Sequence, residues 1–200
     1  ELVRLLPQDS EAADALERIA ERRGDPAELL ELLRARASRL PLGHPDRTGA
    51  LRRIARELGG RQGRRGEVLA ALREVHQQNP DDLETAQQLA ALARGAGDLL
   101  TASEALQRGF QAASVRELRV WFGLESARCL LQLGDHESAA RTIRELMEGL
   151  EVSSEPRGLE IVRLQLEIAL ARGDLREEAW ARVRLAEIDL HASPVRRASN

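Results

Sequence analysis

Two hundred residues, 42% of them hydrophobic, can bury a core as one domain or one repeat array. With 30 basic against 33 acidic residues the formal charge is −3, which argues against a general nucleic-acid binder, and the 2% aromatic content in a chain dominated by Ala, Leu, Glu and Arg favours helix over sheet. The single cysteine, Cys129, excludes an internal disulfide and a cysteine-based zinc site and reads as a buried small residue, and no apolar run has the length of a membrane span.

Taken in order, Glu1 to Leu6 stops at Pro7 and reads as the end of an earlier helix, so residues 1–8 are assigned to a preceding repeat of a longer protein. Ser10 to Arg23 is expected to be helical with Ala13, Leu16, Ile19 and Ala20 inward. Gly24 ends it, and Asp25-Pro26-Ala27-Glu28 combines a cap, a first-turn proline and a capping-box glutamate. The helix that follows carries Leu29, Leu30, Leu33, Ala37 and Leu40, and the Pro41 to Pro45 stretch breaks it. Asp46 to Leu58 turns Ala50, Leu51, Ile54, Ala55 and Leu58 inward. A Gly/Arg loop at 59–66 leads to a helix with Val68, Leu69, Leu72 and Val75.

In the stretch 80–113, Leu83, Ala86, Leu89, Ala90 and Ala93 share one helical face, with Asp81 as cap and Glu84 completing a capping box. Gly97 leaves that helix and Asp98 caps the next, whose inward face is Leu99, Ala102, Leu106, Gly109 and Ala113. Small residues at these positions let helix backbones approach closely, so the pair is expected to form an antiparallel hairpin. Val115 to Leu133 is a longer helix, carrying Val120, Leu124, Ala127, Leu130 and Leu131; Gly134-Asp135 turns into one carrying Ala139, Ile143, Leu146 and Leu150. Leu159 to Arg172 and Leu175 to Leu190, turned at Gly173-Asp174, form the last hairpin, and 191–200 is expected to be a loosely held tail.

The turn glycines Gly24, Gly63, Gly97, Gly134 and Gly173 recur at intervals of 39, 34, 37 and 39 residues, and all seven prolines fall at junctions or in the tail. About ten helices in five hairpins over 9–190 follow from this spacing. Ala90 directly after Leu89, then Ala102, Leu106 and Gly109, occupy the small and bulky slots of a tetratricopeptide repeat, a helix-turn-helix unit of about 34 residues. The segment resembles a degenerate member of that family, with Ala86 and Ala93 where aromatics are usual and Ser114 near a usual proline. The resemblance implies an all-α, right-handed superhelical solenoid of antiparallel helix pairs. It also implies a protein-interaction or scaffolding role, with the first helix of each pair lining a concave face that takes an extended or helical peptide.

By register, the outward positions on those first helices include Arg18, Arg52, Arg56, Arg94, Trp121, Leu124, Arg128 and Leu131. The five arginines are candidates for reading an acidic peptide, with Trp121 and Leu124 as an apolar anchor. Two alternatives stand beside this. The arginines are solvated and paired with Glu11, Asp14, Glu21 and Glu84, and Trp121 packs at a repeat joint. The lysine- and asparagine-based carboxylate clamp of chaperone-type relatives has no counterpart, because the chain has no Lys and Asn only at 79 and 200. All 30 basic residues being Arg also reads as the codon bias of a GC-rich, bacterial genome.

Arg61, Arg64 and Arg65 in the glycine loop suggest phosphate, although the loop matches no nucleotide fingerprint and reads better as a solvated turn. His44, His76, His136 and His191 lie far apart, and no metal or nucleophile motif accompanies them or Cys129. No catalysis, metal or cofactor is therefore expected. Ile161, Leu164 and Ile168 beside Val162, Leu166 and Ala169 make one helix apolar on two sides, which suggests self-association through the C-terminal hairpin. The expected compartment is the cytoplasm. Two further readings remain open: a peptide-sensing regulator whose superhelix changes pitch on binding, and a nucleic-acid binder using the Arg-rich 47–73 region.

Overall fold

A computed structural model of the chain describes residues 10–59, 64–152 and 155–197. The expected end of an earlier helix at 1–8 and the tip of the glycine loop, with Arg61 and Gly63, lie outside the described residues. Ten helices and no strand occur among the described residues: α1 Ser10–Arg23, α2 Pro26–Arg39, α3 Pro45–Leu58, α4 Arg65–Gln78, α5 Leu83–Gly95, α6 Leu99–Ala112, α7 Arg116–Leu133, α8 His136–Met147, α9 Gly158–Arg172 and α10 Leu175–Arg197. The last runs seven residues beyond the end expected at Leu190 and takes in Pro194.

Four of the helix-helix turns use one local device. Gly24, Gly97, Gly134 and Gly173 adopt φ of +65°, +78°, +78° and +68°, a region open to residues without a Cβ. The aspartate after each then caps the next helix. Asp25 accepts from the amides of Ala27 and Glu28, Asp98 from Thr101, Asp135 from Ser138, and Asp174 from Arg176 and Glu177. At α5 the cap is Asp82, which accepts from the Thr85 amide, and not Asp81, so the expected Asp81/Glu84 capping box does not form.

The chain divides into two compact units, residues 1–96 and 97–200, so α5 and α6, the two halves of the expected central hairpin, belong to different units. Within the first unit α1 packs on α2, α2 on α3, α3 on α4 and α4 on α5. The apolar face of each helix closes on its neighbour: Leu30 and Leu33 of α2, Ile54 and Leu58 of α3, Leu72 and Val75 of α4, Leu89 and Ala93 of α5 are all buried. Ile19, expected inward, is 42% exposed, while Ala20 is buried as expected and Glu17 is buried beside it in the helix at 2%. Glu17 is held there by charge. Its carboxylate accepts from Arg36 of α2 at 3.2 Å and from Arg53 of α3 at 2.5 Å, so burial does not leave it uncompensated.

In the second unit α6 packs on α7, α7 on α8, α8 on α9 and α9 on α10, with α9 also meeting α7. Its core is Leu106, Phe110, Val120, Phe122, Leu124, Ile143, Leu146, Ile161 and Ile168. Both apolar lines of α9 are spent here, since Ile161, Val162, Leu164, Ile168 and Ala169 are buried among α7, α8 and α10. The two-sided pattern that suggested self-association therefore has its explanation inside one chain. Gly109 and Gly123 allow neighbouring helices to approach closely. A Cβ on Gly109 would stand 2.2 Å from the Phe122 ring, and one on Gly123 would stand 3.1 Å from both Leu146 and the Phe110 ring.

Candidate binding groove

An open groove of about 750 Å³ lies along α3 and α5 within the first unit. Arg52 and Arg56, four residues apart on α3, stand on the same helix face and form one wall. Asp81, Glu84 and Gln88 at the start of α5 line the other, and Val68 and Leu72 of α4 lie at the floor.

One cross-groove link holds the walls. The Arg52 guanidinium donates to Asp82 Oδ2 at 2.5 Å, and the same carboxylate accepts from the Thr85 hydroxyl at 2.6 Å. Burial pushes the Asp82 carboxyl up, but the hydrogen bonds from Thr85 and the Arg52 charge outweigh it and hold the group below the usual aspartate range. A carboxyl depressed in the folded state contributes stability above its unfolded value of about 3.9, and loses it as pH falls through the lower folded value. The stability difference between the unaltered chain and Asp82→Asn should therefore be largest above about pH 5 and shrink toward pH 3. Urea midpoints followed by far-UV circular dichroism across that range check it; a difference that grows on acidification would contradict the assignment.

The remaining charges of the groove are uncommitted. Arg56 and Asp81 are exposed and make no ion pair among the described residues. Glu84 accepts from Gln88 at 3.1 Å and has no cationic partner among them.

Of the eight residues expected on a concave face, Arg52 and Arg56 are brought together here. Arg18 and Arg94 are exposed on α1 and α5 but line no part of this groove, and the Arg18 side chain donates to the Asp14 carbonyl at 3.3 Å. In the second unit, Arg128 donates to Glu125 at 2.6 Å and to Glu160 of α9. Burial opposes the Arg128 charge, but these carboxylates raise its pKa above the ordinary guanidinium value. Trp121 and Leu131 are half-buried, and Trp121 stands edge-on to Phe122 at 4.9 Å between centroids. Leu124 is a correction: at 0% exposure it belongs to the core, where the same α7 face that holds Val120 and Ala127 places it.

Many cations are spent within their own unit; Asp14 and Glu21 are among the paired carboxylates as the sequence suggested, but with Arg36 and Arg53. Arg36 pairs with Asp14, Glu17 and Asp46, Arg47 with Glu74, Arg53 with Glu17 and Glu21, Arg64 with Glu67, Arg116 with Glu155, and Arg172 with Glu137. Each joins helices or turns that sequence distance hides, and only the Arg64 pair is a local spacing of three. His44 acts locally, its Nδ1 accepting from the Asp46 amide at the start of α3. Cys129 is buried, with its Sγ 3.7 Å from the Leu99 carbonyl. Among the described residues no group of three His, Cys, Asp or Glu side chains could hold a metal, and no helix is long and apolar enough to cross a membrane.

No protein-family model matches the chain, and no curated protein matches it. Solved structures do. A kinesin-light-chain-like protein of Podosopora anserina with nearly identical TPR-like repeats superposes at a TM-score of 0.55 with 19% identity, covering 91% of this chain and 95% of that one. A crystal structure of the MamA protein gives 0.54 with 10% identity over 92% and 93% of the two chains. MamA from Desulfovibrio magneticus RS-1, from its residue 41 onward, gives 0.50 with 13% identity over 90% and 95%. These similarities establish the fold as all-α and of tetratricopeptide type.

Proposed function

Given that fold, we propose that the chain is a protein-interaction or scaffolding module whose partner inserts a segment into the groove between α3 and α5. The observation that carries this is the groove itself: about 750 Å³ of open space, walled by side chains from three helices and already braced by the Arg52–Asp82 link. A braced site loses less conformational freedom when a ligand arrives, so more of the contact energy appears as affinity. No reaction chemistry is attached to this reading.

The nucleic-acid alternative loses support from the pairing of its own cations. Arg47, Arg52, Arg53 and Arg64 of the 47–73 region each hold a carboxylate, so half of its eight arginines are already paired and offer less to phosphate.

A photo-crosslinking residue at Gln88, exposed on the α5 wall, should capture a protein in cells, whereas the same residue at Glu31, exposed on α2 away from the groove, should not. Equal capture from both positions, or none from Gln88, would remove the groove as the binding surface.

A further inference from the structure

We propose that the groove selects a partner segment carrying both signs of charge: a basic side chain against Asp81 and Glu84, and an acidic one at Arg56. This rests on the groove being the binding surface and names the chemistry of what enters it. It also departs from the acidic partner that the arginine positions alone suggest.

The argument is one of charge already spent. Arg52 is engaged by Asp82, and Asp82 is at the same time the cap of α5. A ligand carboxylate that took Arg52 would strip the cap of its counter-charge, so Arg52 is a poor receptor for an incoming anion. Two carboxylates and one guanidinium remain: Asp81 and Glu84 on the α5 wall, and Arg56 on the α3 wall, none with an ion-pair partner among the described residues. A uniformly acidic segment would place like charges against Asp81 and Glu84, and a uniformly basic one would meet Arg56 and Arg52. Only a mixed segment is complementary along the whole length.

The spacing follows from the helix. Asp82 lies beside Arg52, and Arg56 is one turn further along α3, about 6 Å at the rise of an α-helix. The two ligand charges therefore sit about one helical turn apart, four positions in a helical segment. Leu92 of α5, half-buried on the groove lining, favours an aliphatic side chain between them.

The test uses the full chain and three labelled synthetic peptides of equal Ala and Leu content. One carries Lys only, one Glu only, and one Lys and Glu four positions apart, with binding read by fluorescence anisotropy. The mixed peptide should bind about tenfold more tightly than the Glu-only peptide, the combined effect of two partly exposed pairs. Arg56→Gln should erase the benefit of the Glu, and Asp81→Asn with Glu84→Gln should bring the Glu-only peptide level with the mixed one. These three side chains make no ion pairs among the described residues, so the variants are expected to keep the parental circular dichroism. Tightest binding of the Glu-only peptide to the unaltered chain, or an order unchanged by the Asp81/Glu84 variant, would overturn the proposal. If no peptide binds while Gln88 still crosslinks a protein, the charge rule falls and the groove stands; if both fail, both fall.

Discussion

Gly109→Ala should destabilise the second unit by about 3 kcal/mol, the upper end of the usual cost of overpacking. At an ordinary helix-interior position the same change would stabilise by about 1 kcal/mol through backbone propensity, so the expected sign is reversed here. The reason is a ring with nowhere to go. The new methyl would lie 2.2 Å from Phe122 Cε1 and 2.5 Å from Cδ1. Phe122 is fully buried, Trp121 stands against its edge, and the next residue, Gly123, is already pressed by Phe110 and Leu146. Trp121 and Trp180, the only tryptophans, both lie in this unit, so urea unfolding followed by tryptophan fluorescence reports on it directly. Phe122→Leu in the Gly109→Ala background should recover part of the loss, because the two changes act on one contact. An unchanged midpoint for Gly109→Ala would mean that α6 and α7 do not approach this closely.

Glu17→Ala should cost the first unit a comparable amount, about 3 kcal/mol, the low end for breaking a buried ion pair from one side. Glu17 is 2% exposed and its two oxygens engage guanidiniums from two other helices, Arg36 of α2 and Arg53 of α3. Removing it leaves both cations facing a cavity, although Arg36 keeps Asp14 and Arg53 keeps Glu21. Those surviving partners, and the 34% exposure of the Arg53 side chain, place the figure at the low end. Glu17→Gln, which keeps the shape and some hydrogen bonding, should cost less. The first unit has no tryptophan or tyrosine, so hydrogen exchange of its amides is the appropriate measurement. Loss of protection confined to α1 would show that Glu17 does not bind three helices together.

Most of the helical framework was legible because its signals are local. Asp25 with Pro26, the Gly-Asp pairs at 97–98, 134–135 and 173–174, and apolar residues three and four apart each act within a turn or two of chain, and apart from the longer α10 most observed ends fall close to those expected. The failures are cases where a distant residue decides. Nothing in the local pattern marks Glu17 for burial; Arg36 and Arg53, nineteen and thirty-six positions away, meet it there. Ile19, expected inside, is exposed. At α5, Asp81 and Asp82 are adjacent and equally able to cap; Arg52, thirty positions earlier, engages the second and leaves the first on the groove wall. The candidate site was legible as a set of first-helix positions, which gave Arg52 and Arg56, but its opposing acidic wall was hidden, since nothing in the local pattern separates a capping carboxylate from one turned to solvent. Leu124 failed by ambiguity of register on a helix, α7, with apolar residues on several sides.

The longest of these side-chain bridges stay within neighbouring elements: Arg116 reaches Glu155 across 39 positions, Arg53 reaches Glu17 across 36, and Arg172 reaches Glu137 across 35. None spans a whole unit, and the entropy of closing such loops grows only slowly with their length. Within each unit assembly can then start at a pair of packed helices and spread to the next, at the rapid rates typical of topologies in which touching residues are near one another in the polypeptide.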